Sequence, residues 1–183
     1  MNYFENILKD RKDTYEIELE LQVRKLFESM TEYIFEFQKN EDIYGYDLSV
    51  FKYVLEAGGR FKKQLIAFIE IEISEKWIDV YPDYWQDYSF LMRKVYDYDF
   101  KKNEFTNNVK ANANTCIYII FNKSLTDCIC QKVDYIAGLE KKYRKLTGKD
   151  YTDWFLTTKK TDTNIVKGID KAFQFCYSFI KSC

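Results

Sequence analysis

The sequence predicts an α+β fold. It is read as a single domain over residues 1–183, with a central mixed sheet flanked by helices. The sheet is expected to be an antiparallel meander plus one or two further strands. Three observations lead there. Residues 44–74 hold two β-branched and aromatic runs on either side of Gly58-Gly59, a two-residue hairpin signal because both glycines accept positive φ. Residues 115–122, TCIYIIFN, are short and continuously apolar, the pattern of a strand buried on both faces. Apolar stripes of helical period mark helices that would cover the sheet. One runs through Leu19, Val23, Leu26, Phe27 and Met30, the other through Ile165, Val166, Ile169, Ala172, Phe173, Cys176, Phe179 and Ile180.

The first helix is expected over residues 14–30. Residues 16–21 also alternate with period two, which leaves a strand start open there. Glu18 or Glu20 on this segment either reaches a central site or faces water. Residues 32–41 read as the first strand, and the two arms of the hairpin as the second and third. Residues 75–100 are crowded with acids and aromatics, among them Trp77, Tyr81, Trp85 and Tyr88, and Pro82 interrupts any regular element. This segment reads as an irregular wrap around the core, with a lid or ligand-binding loop as the functional counterpart. Residues 101–114 are polar and read as an exposed loop. Residues 125–133 supply a neighbour to the strand at 115–122. Residues 139–146 look like a basic helical stretch ended by Gly148, with Lys141, Lys142, Arg144 and Lys145 facing water or phosphate. Asp162 or Thr163 is expected to cap a final helix running to about residue 180.

The hairpin carries the chemistry. A tight turn at Gly58-Gly59 pairs Ala57 with Arg60, and the same register pairs Asp47 with Glu70. Two carboxylates then face each other on one side of the sheet, and Glu72, two residues on, points the same way. Like charges facing across a ladder are destabilising. A divalent cation would remove the conflict by taking carboxylate oxygens. The competing expectation is a register slipped by a bulge, with the acids in water. On the third strand Gln64, Ile66, Phe68, Glu70, Glu72 and Ser74 share one face. Leu65, Ala67, Ile69, Ile71 and Ile73 share the other, which is wholly apolar and has to pack on helices.

Composition narrows the function classes. The 28 basic and 29 acidic residues balance, so binding to a polyanion has to use a local patch. The residue content is 46% hydrophobic, which is globular. No run approaches the roughly 20 apolar residues of a membrane span. The first residues lack the apolar core of a secretory signal. The five cysteines are odd in number, which argues against a disulfide framework. The Cys128-x-Cys130 pair is not a zinc spacing. Ordinary reduced cysteines of a cytoplasmic protein are expected. There is no histidine, so Ser-His-Asp and Cys-His catalysis and any histidine base are excluded. Any chemistry rests on carboxylates, lysines and a metal. Abundant Lys, Asn, Ile, Tyr and Phe match AT-rich coding, so the aromatics are not taken as evidence for base stacking. No internal repeat, Gly-rich phosphate loop or low-complexity linker is present.

A helix, then strands carrying Asp47, then Glu70-x-Glu72 on the next strand resembles the PD-(D/E)xK restriction-endonuclease-like superfamily. The resemblance spans about residues 14–135, followed by a helical C-terminal region. It also touches residues 90–94 (FLMRK), where some members carry a displaced basic residue, and the strand at 115–122. Glu72 stands where the family usually has lysine, a departure toward an E-x-E variant. The resemblance implies a Mg²⁺-dependent endonuclease hydrolysing phosphodiester bonds in DNA or RNA. Asp47 and Glu70, with the Ile71 carbonyl, would hold the metal. Glu72 would be a further ligand or the general base. Lys94, or alternatively Lys76, would meet the charge of the transition state. The competing expectation is a catalytically inactive protein-interaction module of phage or defence-system type. Its protein partner would be anchored on Trp77, Trp85 and Tyr88.

Overall fold

The computed structural model describes Lys25 and residues 35–40, 45–99, 101–102, 104–145 and 152–183. The helix expected over residues 14–30 lies outside these except at Lys25. The meander is present. Strand β1 (Phe35–Lys39) pairs antiparallel with β2 (Leu48–Leu55), and β2 with β3 (Phe61–Ser74).

The hairpin reaches the expected register by a different route. Its loop is five residues, Glu56 to Arg60. Gly58 and Gly59 sit at φ 110° and 76°, and Glu56 N–H donates to Arg60 O at 2.8 Å. Leu55 therefore faces Phe61, one step away from the register of a two-residue turn. A shift between Val50 and Phe51 leaves Ile66 as the extra residue, and from there Val50 faces Ala67 and Leu48 faces Ile69. The bulge offsets the longer loop, as one inserted residue must. Asp47, the next residue, is level with Glu70. The bulge also moves Ile66 off the face it was expected to share with Phe68 and Glu70. It packs with Ala67 and Ile69 instead.

Beyond β3 the chain departs from the expectation in several places. Residues 75–100 are not irregular throughout. They hold β4 (Asp87–Leu91), a 3₁₀ turn at Met92–Lys94, and β5 (Tyr96–Asp99). The expected loop at 101–114 contains β6 (Glu104–Val109), which pairs with β5 in a two-stranded ribbon. Next come β7 (Cys116–Asn122), buried along its whole length as expected, and β8 (Cys128–Lys132). A short helix α1 (Val133–Ala137) follows β8.

The expected basic helix at 139–146 is strand β9 (Glu140–Lys145), paired with β10 (Thr152–Lys159). EKKYRK carries no apolar stripe of its own, and pairing with β10 makes it a strand. Lys142 and Arg144, on one face, both reach Asp87 of β4, at 2.9 and 3.5 Å. Strand β11 (Val166–Lys167) precedes the terminal helix α2 (Ile169–Ser182). Helix α2 is capped at Gly168, not at Asp162 or Thr163. Asp162 instead closes the preceding turn, accepting hydrogen bonds from Tyr135, Thr158 and the Asn164 N–H.

The main sheet has six strands in the order β1-β2-β3-β7-β8-β11, with β7 parallel to β3. It is a mixed sheet with three strands added to the meander. One face packs on α2. Ile69, Ile71, Ile117, Ile119 and Phe121 meet the Ala172, Phe173, Cys176, Phe179 and Ile180 stripe there. The other face is covered by a second sheet, β4-β10-β9, and by α1, where Phe90, Leu156, Tyr118, Ile120 and Ile136 pack together. The described part of the fold is mostly strand, with helix on one face and a sheet on the other. All five cysteines are unbridged. Among the described residues no helix is long and apolar enough to cross a membrane.

Ile119 lies at the centre of this core. Ile119→Ala is expected to lower unfolding free energy by roughly 2–5 kcal/mol through the cavity it leaves, measured by urea denaturation.

Candidate active site

Strand register brings Asp47 and Glu70 together. Two residues past the last β2 pair, the Ile71 N–H donates to Asp47 Oδ2 at 2.7 Å. This fixes the Asp47 carboxylate against the edge of β3. Glu70 shares its face of β3 with Glu72, and the parallel neighbour β7 sets Tyr118 beside it. Glu70 is 1% exposed.

The third member comes from the turn after β4. Lys94 is 8% exposed. Its Nζ donates to Ile71 O at 2.8 Å, to Asp47 Oδ2 at 3.3 Å, and to Glu70 Oε1 in direct contact. Three oxygens, two carboxylate and one carbonyl, thus converge on one ammonium. Glu70 Oε2 is buried and has no hydrogen-bond partner among the described residues, and the same is true of the Tyr46 hydroxyl. Burial, together with the charge of Asp47, raises the Glu70 carboxyl above its ordinary value, and Lys94 opposes the rise.

Glu72 points to the same side but stands apart from this cluster. Its Oε2 accepts a hydrogen bond from the Tyr118 hydroxyl, which in turn accepts one from the Leu91 N–H at 3.3 Å. Burial raises the Glu72 carboxyl, while the Tyr118 hydrogen bond and the charges of Lys94 and Arg93 act against it. Arg93, beside Lys94, pairs with the fully buried Asp153 of β10 at 2.6 Å. The turn is therefore tied to one sheet by Lys94 and to the other by Arg93.

Of the residues singled out from sequence, Asp47, Glu70 and Lys94 meet, with Glu72 adjacent through Tyr118. Lys76 lies exposed after β3, and the cation in the cluster is Lys94. Trp77 and Tyr88 are each 1% exposed. They are core residues, and burial removes them from any surface a partner could touch. Tyr81 stacks edge-on against Trp77, Trp85 and Tyr88 at about 5 Å between ring centres. Trp85 is partly buried. Lys142 and Arg144 are paired with Asp87, and Lys141 lies 4.3 Å from the Tyr96 ring centre. Glu18 and Glu20 lie outside the described residues.

Two site residues were not anticipated, Tyr118 and Asp153. The signal for Tyr118 was a single hydroxyl inside an apolar strand, since a buried hydroxyl needs a partner. Asp153 is a lone acid in a strand that was itself missed.

The donor set suits a hard cation, which takes carboxylate and carbonyl oxygens. Among the described residues no group of three or more His, Cys, Asp and Glu side chains is arranged around one point, so the Ile71 carbonyl is needed to complete the three donors. Compared with family models, curated proteins and solved structures, the chain matches none of them.

A raised carboxyl value means that ionisation costs the folded state more than the unfolded one. Glu72 therefore adds stability below its unfolded value near 4.5, and that contribution is lost as pH rises through the higher folded value. Glu72→Gln keeps an acceptor for Tyr118 and removes the titration. It is expected to be more stable than wild type at pH 7 and to flatten the decline of stability from pH 4.5 upward, read from urea midpoints across that range.

Proposed function

We propose that the protein is a metal-dependent phosphodiesterase of the nuclease type, related in plan to the PD-(D/E)xK enzymes. The observation that carries this is the meeting of Asp47, Glu70 and the Ile71 carbonyl at one point, where β2 begins beside β3 within the main sheet. It is the donor set expected from the sequence resemblance.

In this reading Asp47, Glu70 and the Ile71 carbonyl would hold Mg²⁺, which when bound would supply polarisation of the phosphate and a lowered pKa for a water. The chain's own groups do the rest. The Ile71 N–H keeps the Asp47 carboxylate in one orientation. Tyr118 holds Glu72 beside the site, and burial raises that carboxyl above its ordinary value, the direction that makes a stronger base. Lys94 supplies positive charge toward the phosphate, in place of the lysine missing at position 72.

A second reading, an interaction module without catalysis, draws on the loop after β3. There Val80 is 78% and Tyr84 74% exposed, and exposed apolar side chains in one loop are a candidate contact surface.

Asp47→Asn preserves the shape of the side chain. It is expected to reduce Mg²⁺-dependent cleavage of single- or double-stranded DNA or RNA by about 100-fold or more, with circular dichroism unchanged. Cleavage that survives the substitution would argue against this site. A wild type that cleaves none of these substrates, but loses a binding partner on Val80→Asp or Tyr84→Asp, would favour the module.

A further inference from the structure

The three oxygens assigned above to the metal already hold a cation. Lys94 Nζ sits within 2.8 Å of Ile71 O and 3.3 Å of Asp47 Oδ2, and touches Glu70 Oε1. Three acceptors match the three protons of an ammonium. The ammonium and a divalent ion cannot share them. Mg²⁺ draws its oxygen ligands to about 2.0–2.1 Å, and the two positive charges would repel at contact distance.

A second observation points to a site built for more than the lysine. Glu70 Oε2 is buried without a partner among the described residues. A lone ammonium leaves that oxygen over. An ion accepting both oxygens of a carboxylate would not. The nearby alternatives do not take the place of Lys94. Lys76 is exposed, and Lys110, whose charge also lowers the Glu70 value, lies over the Tyr46 ring, 5.7 Å from its centre.

We propose that Lys94 is the intramolecular competitor of the metal ion. It neutralises Asp47 and Glu70 when the metal is absent, sets the metal affinity, and is driven out of the carboxylate pair when a divalent ion binds. The inference rests on the metal-dependent reading of the site. The Arg93–Asp153 pair anchors the turn that carries Lys94, so displacement is a swing of the lysine side chain with its backbone held. A displaced ammonium stays beside the site, where its charge can meet a phosphate. Coupling of this kind is reciprocal: whatever Lys94 subtracts from metal affinity, the metal subtracts from the lysine's contacts.

The test is calorimetric titration of Mn²⁺ into the full chain, wild type beside Lys94→Met. The variant is expected to bind Mn²⁺ roughly tenfold or more tightly, because the competing state is gone. Equal or weaker binding in a folded variant overturns the proposal and leaves the metal-dependent reading standing. Absence of Mn²⁺ binding in both proteins overturns the two together.

Removing one partner of a buried ion cluster can unfold a protein, so wild type carries a second measurement. Lys94 is acylated with an N-hydroxysuccinimide ester and followed by peptide mass spectrometry. Millimolar Mn²⁺ is expected to speed its modification severalfold, with exposed Lys76 as the internal standard. A rate for Lys94 that Mn²⁺ leaves unchanged or slows overturns the proposal.

Discussion

The buried ammonium of Lys94 is the interaction on which the rest of the site depends. Taking an ion from water into a protein costs several kcal/mol even after relaxation. Here Asp47, Glu70 and Lys94 are all buried. Their mutual attraction offsets that cost only because the contacts are close and the Ile71 amide and carbonyl add hydrogen bonds. Glu70, bonded to Lys94 through one oxygen, still leaves the other without a partner. The arrangement sacrifices some stability at this point. Such local conflict is common where a protein does chemistry.

The cluster is also a joint between layers. Asp47 and Glu70 belong to the main sheet, and Lys94 belongs to a turn that leaves the second sheet. Arg93, next to Lys94, closes on Asp153 of β10. Tyr118 completes the joint, reaching from β7 to Glu72 on β3 and receiving the Leu91 N–H of β4. The second sheet therefore does more than cover an apolar face. It delivers the ammonium that contacts both facing carboxylates, and it orients the third.

Some of this was legible in the residues. The meander and the doubly buried strand at 115–122 follow from short-range patterns, and Asp47 stands level with Glu70 as expected but by another route. The agreement at Asp47 and Glu70 has a particular cause. The loop is longer than Gly58-Gly59 implied, and the bulge at Ile66 restores the register. Both departures lie in one hairpin and offset each other. The errors fell where partners are distant in sequence. Strand β9 was mistaken for a helix because EKKYRK has no apolar stripe of either period. Its identity comes from pairing with β10 and from the reach of Lys142 and Arg144 to Asp87. Trp77 and Tyr88 follow the reading of 75–100 as a wrap around the core, and their burial leaves the competing reading without two of its three anchors. In the fold they fill the space between the two sheets.

By itself, then, the sequence determined the alternation of β2 and β3, the buried character of β7, the stripe of α2 and the absence of any histidine chemistry. Each of these depends on residue type at fixed local spacing, which the backbone geometry of strands and helices turns directly into faces. The tertiary structure decided which cation meets the two carboxylates and which group holds Glu72. It also decided that a sheet, not a helix, closes over the site. Those outcomes depend on desolvation and on contacts between segments more than twenty residues apart, such as Asp47 with Lys94 and Arg93 with Asp153. Burial of a charge is tolerated only when its partner arrives, and that partner is found by folding, not by spacing along the chain.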